Sequence, residues 1–497
     1  MNVSLMWLLD GIVNVAPNEA RIADLTLDSR EVRAGSLFFA LRGSRSHGLE
    51  FAAEAAARGA SAILWEAAPD VEAPRFAPHV FAAAVADLGK LVGRIADRFF
   101  NWPSSQLCIT GITGTNGKTT CAYLLAQCLG RLGREAAYIG TIGWGRLDKL
   151  EPLSHTTPDA INVHRMLAQL KSRGVREVAM EVSSHALDQG RVDGVRFHTA
   201  AFTNLTRDHL DYHDTMQAYG AAKARLLAVD NLREIVINIG DEFGRELARG
   251  CAGRAPLTAV WVGEGGAGWL AERSLHARDV RVDLRGITLE LDGSFGQHEL
   301  VTRLLGRFNA ENAVVVLGCL TALGVPLAAA CEALAECAAP PGRMEVLEPT
   351  PAGKPLAVID YAHTPDALAK ALGSLREHCR GALWCVFGCG GDRDPGKRPL
   401  MGTIADELAD QIIVTDDNPR SENPLDIIRA ITAGIQTHPV RVIPDRGAAI
   451  AAALQEAGAA DVVLIAGKGH EDYQIYGATR ARFSDRQQAL KALGAAA

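Results

Sequence analysis

The feature that most constrains this chain is a repeated alternation. Short apolar runs, each stopping at glycine or polar residues, are separated by Ala- and Leu-rich helical patterns. In the last third the runs are 357–359, 383–387, 411–414 and 462–465; in the middle third they are 107–112, 178–182, 200–204 and 235–239. Such alternation predicts parallel, doubly wound α/β sheets, whose ligands bind where the strands end. At 497 residues the chain exceeds one ordinary core. Punctuated stretches at Asn101-Trp-Pro-Ser-Ser105 and Ala338-Ala-Pro-Pro-Gly342 divide it into three expected domains: 1–102, 103–339 and 340–497.

Composition removes several function classes. Hydrophobic residues make up 48% and charged residues 22%, a globular rather than disordered balance. The net charge of −7 gives no general attraction to nucleic acid or to an anionic membrane, so neither is an expected partner. The ten cysteines include no CxxC pair, which argues against a zinc site or a disulfide framework. The N-terminal run MNVSLMWLLDGIV lacks a positive flank and contains Asp10, a poor signal peptide, so a cytoplasmic location is expected. The uncharged stretch 313–331 is long enough to span a bilayer. Gly318, Thr321, Gly324 and Pro326 interrupt it, which predicts buried helix, turn and helix, with no membrane insertion.

The strongest chemical signal is Gly111-Ile-Thr-Gly-Thr-Asn-Gly-Lys-Thr-Thr120, set between an apolar run and a helical pattern at 121–132. Small residues let backbone N–H groups and a helix N-terminus approach phosphate oxygens. Lys118 supplies a charge and Thr119 a Mg²⁺ ligand, so the segment reads as a triphosphate loop. It is not a strict GxxxxGK[ST] match, because the first glycine would fall at Ile112.

Glu181-Val-Ser-Ser-His185 and Thr203-Asn-Leu-Thr-Arg-Asp-His209 each follow a predicted strand. With Thr119 they offer oxygen and imidazole ligands suited to a divalent metal. Lys223 sits in a helical pattern among small residues, and on composition alone it reads as a solvated helix lysine.

At this point the residues resemble a family, the Mur ligases, ATP-dependent amide-forming enzymes of peptidoglycan precursor synthesis. The resemblance is carried by Asp28-Ser-Arg30, Gly35-Ser-Leu-Phe-Phe-Ala40, Gly114-Thr-Asn-Gly-Lys-Thr-Thr120, Glu181-Val-Ser-Ser-His185 and Ala222-Lys223. It continues through Gly342-Arg-Met-Glu345, Asp360-Tyr-Ala-His-Thr-Pro365, Gly390-Gly-Asp-Arg393, Asp417-Asn-Pro-Arg420 and Gly467-Lys-Gly-His-Glu471. It implies a UDP-binding N-terminal α/β domain, a central P-loop ATPase domain with a mainly parallel sheet, and a C-terminal Rossmann-like domain. The implied substrates are ATP, UDP-N-acetylmuramoyl-L-alanyl-D-glutamate and meso-diaminopimelate, with Mg²⁺ as cofactor and the chain acting as a monomer.

The same resemblance assigns residues. Gly114, Thr115, Asn116, Gly117, Lys118, Thr119 and Thr120 would hold the phosphates, while Asn312, Arg343 and Asp360 would meet adenine, phosphate and ribose. Leu27, Ser29 and the loop at Ser44 would meet the UDP moiety; Thr156, Thr157, Ser183, Gln189 and Arg191 would hold the muramoyl dipeptide. The acceptor falls to Arg393, Asp417, Asn418, Pro419, Arg420, Gly467 and Glu471. Thr119, Glu181, His209 and Lys223 would bind metal, the last as a carbamate, since carbamylation turns a repelling cation into a carboxylate. Lys118, Glu181, His209 and Lys223 form the expected catalytic group.

Arg420 predicts diaminopimelate rather than lysine as acceptor, because a guanidinium can grip in a bidentate fork the second carboxylate that lysine lacks. The expected chemistry phosphorylates the D-glutamyl side-chain carboxylate and then lets the amine displace phosphate, with closure of the C-terminal domain excluding water. Two alternatives share the loop. Folylpolyglutamate synthetase has the ATPase core without a UDP-binding first domain, and a nucleotide-driven switch or motor would hydrolyse ATP with no amino acid present.

Overall fold

The computed structural model describes residues 2–43, 46–69, 76, 79–251, 253–266, 269, 273–283, 286–347 and 353–494. The chain forms two compact units, Met1–Lys118 with Leu129–Thr258, and Thr119–Cys128 with Ala259–Ala497.

The first unit opens with a parallel sheet whose strands keep chain order: β1 (Asp24–Thr26), β2 (Ser36–Ala40), β3 (Ala62–Glu66) and β4 (Phe81–Val85). Every residue of β2 is buried, as a strand covered on both faces requires. The helix α1 (Leu88–Phe99) lays Leu88, Val92, Ile95, Ala96 and Phe99 against this sheet's core, a stripe at helical spacing.

A second set of parallel strands follows: β5 (Cys108–Thr113), β6 (Ala136–Gly140), β7 (Glu177–Glu181), β8 (Thr199–Phe202) and β9 (Glu234–Asn238). Their spatial order is β6-β7-β5-β8-β9, all parallel. The chain leaves β5 on one side, returns with β7, then crosses to the other side with β8. The carboxyl ends of β7, β5 and β8 therefore flank the switch point where α/β folds open a ligand crevice. The helix α2 (Lys118–Arg131) follows β5, α3 (Ala160–Ser172) precedes β7, and α4 (Ser184–Asp188) and α5 (Met216–Ala224) follow β7 and β8. Arg165 of α3 ties the two sheets by donating to Asp24 Oδ1 at 2.9 Å and to the Leu25 carbonyl at 2.8 Å.

The second unit carries an antiparallel ribbon, β10 (Arg273–Asp283), β11 (Gly286–Gly293) and β12 (His298–Thr302). Helices α6 (Phe308–Ala322) and α7 (Leu327–Ala335) come next, and the break expected in the uncharged stretch falls between them. No helix among the described residues is long and apolar enough to cross a membrane.

A six-stranded sheet completes the unit: β13 (Glu345–Leu347), β14 (Leu356–Asp360), β15 (Leu383–Phe387), β16 (Gln411–Val414), β17 (Val440–Val442) and β18 (Val462–Ala466). The order is β13-β14-β18-β15-β16-β17, and only β13 runs antiparallel. Apolar clusters cover both faces, one around Leu372, Met401 and Ile431, the other around Ile450, Leu454 and Leu490. That is the doubly wound layer the alternating sequence predicts. The ten cysteines form no disulfide among the described residues.

Candidate functional site

The phosphate loop departs from the strict pattern for a structural reason. Strand β5 continues through Thr113, so Ile112 is a fully buried strand residue rather than the first loop residue. The turn begins instead at Gly114, whose φ is +151°, and a Cβ there would lie 1.9 Å from Thr203 Oγ1. Only glycine fits so close an approach. The loop is laced to the segment after β8. Thr203 Oγ1 donates to the Asn116 carbonyl at 2.6 Å, Asn116 N to Asn204 Oδ1 at 2.9 Å, and Thr115 N to the Asn204 carbonyl at 2.8 Å. Helix α2 starts at Lys118, whose Nζ reaches the carbonyls of Gly114 at 2.9 Å and Thr115 at 2.8 Å; Thr119 and Thr120 follow in its first turn. A turn of small residues before a helix N-terminus is built to receive phosphate.

Glu181 ends β7 and is fully buried. Its carboxylate accepts from Thr141 N at 2.8 Å, from Thr141 Oγ1 at 3.2 Å and from the Tyr138 hydroxyl. Tyr138 and Thr141 escaped the sequence reading; period-two spacing on β6 hides a phenol inside an apolar strand.

Lys223 is not solvated. It shares the inner face of α5 with Tyr219 and Ala222 and is 1% exposed. Its Nζ donates to the Gly114 carbonyl at 2.7 Å and stands 4.2 Å over the Tyr219 ring. Burial, reinforced by repulsion from Lys118, brings its pKa down to about 6. A lysine so placed is a neutral amine at pH 7, able to add to carbon dioxide.

His209 has left-handed backbone, φ +52°, at the start of a short helix. Its ring lies 4.9 Å from that of His185 and 6.0 Å from that of Tyr219, so Tyr219 neighbours both His209 and Lys223. Burial first, and then the surrounding imidazoles, depress the His185 pKa, which keeps that neighbour uncharged. Among the described residues no three His, Cys, Asp or Glu side chains gather into a metal cage. A buried carboxylate, an imidazole and a convertible amine still fit Mg²⁺, which takes one or two carboxylates and keeps several waters.

The residues expected to hold the dipeptide form one network around Glu181. Thr157 Oγ1 donates to the Glu181 carbonyl at 2.9 Å and accepts from Ser183 N at 3.2 Å. Ser183 caps α4, Arg191 donates to the Thr157 carbonyl at 2.9 Å and to Gln189 Oε1, and Thr156 Oγ1 meets Thr141 Oγ1 at 3.1 Å. Leu27 and Ser29 lie apart from that network in the turn after β1, where Ser29 Oγ donates to Glu54 Oε2 at 2.8 Å. Ser44 lies outside the described residues.

In the second unit, Asn312 on α6 donates to Asn309 Oδ1 at 2.8 Å. Asp360 ends β14 and accepts from Met344 N and Ala362 N, both at 2.8 Å; burial raises its pKa, and the nearby Arg343 opposes that rise. Arg343 lies 4.7 Å over the Tyr361 ring, its Nε buried without a partner.

The expected acceptor residues leave the carboxyl ends of three adjacent strands: Arg393 after β15, Asp417 to Arg420 after β16, Gly467 and Glu471 after β18. Arg420 carries φ +53° and is held by a bridge to Tyr476, its N donating to the Ile475 carbonyl at 3.0 Å. Its guanidinium donates to the Gly391 carbonyl at 2.7 Å. Asn418 Nδ2 donates to Glu471 Oε2 at 2.9 Å. Pro419 fixes the turn between them, and Arg393 is exposed at the rim.

A phosphate loop at the switch point of one parallel sheet, with charged loops at the strand ends of a second, has the form of a modular nucleotide-binding α/β enzyme, and its relatives place it among ATP-dependent ligases. Three family models match in succession: the Mur ligase family catalytic domain over residues 21–99, the Mur ligase middle domain over 112–320, and the Mur ligase glutamate ligase domain over 342–469. The chain belongs to the Mur ligase family. It is 47% identical, over 95% of each chain, to the UDP-N-acetylmuramoyl-L-alanyl-D-glutamate–2,6-diaminopimelate ligase of Alkalilimnicola ehrlichii. A solved ligase of the same name superposes with TM-score 0.73 at 33% identity, covering 99% of both chains. Folylpolyglutamate synthase of Mycobacterium tuberculosis shares the fold alone, at 18% identity and TM-score 0.59, covering 76% of this chain and 92% of its own.

Proposed function

We propose that this chain uses ATP to join meso-diaminopimelate to UDP-N-acetylmuramoyl-L-alanyl-D-glutamate, acting as a monomer in cytoplasmic peptidoglycan precursor synthesis. Residues 1–102 serve the UDP-substrate, 103–339 the ATP chemistry and 340–497 the acceptor; the family matches at 21–99, 112–320 and 342–469 support these limits.

The D-glutamyl side-chain carboxylate attacks the γ-phosphorus, ADP leaves, the amine attacks the resulting acyl phosphate, and phosphate departs. No protein nucleophile is needed. Lys118, the N–H groups of 114–120 and Arg343 bind and orient the phosphates, with Asn312 on adenine and Asp360 on ribose. Thr156, Thr157, Ser183, Gln189 and Arg191 hold the dipeptide; Leu27, Ser29 and Ser44 hold its UDP moiety. Thr119, Glu181, His209 and carbamylated Lys223 would hold Mg²⁺, which when bound neutralises charge gathering on the phosphates. Arg393, Asp417, Asn418, Pro419, Arg420, Gly467 and Glu471 receive the acceptor.

The observation that carries the acceptor's identity is Arg420. A non-glycine residue persists in left-handed backbone only where its surroundings over-determine it, and here the bridge to Tyr476 does so. That fixes a guanidinium with N–H groups beyond the one given to Gly391, suited to a carboxylate fork. The test is phosphate release from ATP with the nucleotide dipeptide and diaminopimelate, lysine or no acceptor. Release only with diaminopimelate is expected. Equal use of lysine refutes the role of Arg420, and release with no acceptor refutes the ligase reading.

A further inference from the structure

Resting on the acceptor assignment above, we infer that Lys468 is a positioning residue that sets both the shape and the charge of the acceptor pocket. Its side chain is wholly buried, 0% exposed, one residue beyond the turn glycine that follows β18. Its Nζ meets Asn418 Oδ1 at 3.0 Å, Glu471 Oε2 at 3.2 Å and Asp417 Oδ1 at 3.4 Å. An ammonium has three donors and no acceptor, so these three oxygens satisfy it completely. All three belong to residues assigned to the acceptor.

The shape follows from those bonds. Asn418 Oδ1 faces two donors, Lys468 Nζ and Ile475 N at 3.1 Å, which turns its Nδ2 towards Glu471 Oε2 at 2.9 Å. Lys468 thus fixes both the Asn418 amide and the Glu471 carboxylate. Its own position is imposed by glycines on either side, Gly467 at φ +115° and Gly469 at φ +54°. The frame behind them is rigid: Arg446, fully buried and paired with Asp485, donates to the carbonyls of Ala466 at 2.9 Å and Asp416 at 3.4 Å.

The charge follows from counting. Asp417 and Glu471 bring two negative charges and Lys468 one positive, leaving these three residues a single negative charge to meet one ammonium of the acceptor, while Arg393 and Arg420 supply the positive charge for its carboxylates. Without Lys468 two carboxylates would face each other with their partner gone, in a setting where an uncompensated charge is costly.

The test compares Lys468→Met with wild type in steady-state assays varying each substrate, and measures diaminopimelate binding by calorimetry. The KM for diaminopimelate and the calorimetric Kd should both rise at least tenfold. The KM values for ATP and the UDP-substrate should stay within twofold. An unchanged diaminopimelate KM, or a parallel rise in all three, overturns the inference. If Lys468→Met fails to fold, Lys468→Arg keeps the charge but misplaces the donors, and its diaminopimelate KM must still rise selectively. Arg420→Ala runs alongside: if it leaves the diaminopimelate KM unchanged, the acceptor assignment itself fails. If it raises that KM and Lys468→Met does not, only the role of Lys468 falls.

Discussion

Lys223 makes the sharpest prediction, because its burial sets a number. With a pKa near 6, about 90% of the side chain is neutral at pH 7, against about 0.03% for a lysine at its ordinary value, a difference of about 3,000-fold. Only the neutral amine adds to carbon dioxide, so the carbamylation rate should track that fraction. The perturbation is to strip the carbamate at low pH in CO₂-free buffer, then return the enzyme to a fixed CO₂ pressure between pH 5 and 9. Recovery of diaminopimelate-dependent phosphate release is followed with time. The rate should rise about tenfold from pH 5 to 7 and then level off, because the amine is already neutral. A rate that keeps climbing tenfold per unit from pH 7 to 9 would falsify the buried-amine argument, since that is how an exposed lysine behaves. As a control, short-chain carboxylic acids should restore part of the activity of Lys223→Ala, standing in for the carbamate oxygens.

The same shift makes unmodified Lys223 a burden on the fold. Its folded pKa lies below its unfolded one, so the unfolded state binds more protons between pH 6 and 10.5 and stability rises across that window; the penalty is on the order of 5 kcal/mol at pH 7. In CO₂-free, metal-free buffer Lys223→Met should therefore melt above wild type at pH 7, with the gap closing towards pH 10.5, as calorimetry would read. Lys118→Ala should abolish turnover yet keep its circular dichroism and melting point, and retained activity would remove the phosphate assignment. Gly114→Ala places its methyl 1.9 Å from Thr203 Oγ1 at φ +151°, which should cost at least about 2 kcal/mol in urea unfolding and weaken ADP binding. A second change, Thr203→Ala, should relieve the 1.9 Å clash but neither the backbone strain nor the 3.1 Å approach to Asn204 N, so full recovery would show that the Thr203 hydroxyl alone accounts for this glycine.

How far the sequence could be read depended on whether a feature had a period. The parallel strands were legible because apolar runs ending at glycine or polar residues are what a doubly buried strand looks like in one dimension; the runs at 383–387 and 411–414 coincide with β15 and β16. The phosphate loop was legible through Gly117-Lys118-Thr119, and its missing first glycine became intelligible only when β5 was seen to run on to Thr113. The grouping of the residues proposed for the dipeptide was legible only through resemblance. Nothing in their spacing says that Thr157, Ser183 and Arg191 meet, because β7 and the turns around it bring them together from separate segments.

Two lysines mark the limit of such reading, and they fail for different reasons. Lys223 carried a usable signal. Tyr219, Ala222 and Lys223 stand at i, i+3 and i+4 on one face of α5, and a charge on the face that also buries a tyrosine is out of place unless it is needed. Composition hid this, because small neighbours suit an exposed helix as well as one pressed against a loop. Lys468 carried no periodic signal, since it sits between two glycines after a strand, where neither helical nor strand spacing applies. What locates it is a count of donors against acceptors, and its three acceptors come from β16's loop and its own turn, about 50 residues apart in the chain. Both lysines are held out of water beside a proposed substrate site, Lys223 mostly as the neutral amine and Lys468 beside three oxygen acceptors. On the proposed reading the first is relieved by a change of chemistry, from amine to carbamate, and the second by complete pairing. A variant that swapped these solutions, leaving Lys223 paired or Lys468 unpaired, should lose metal-dependent turnover in the first case and acceptor affinity in the second.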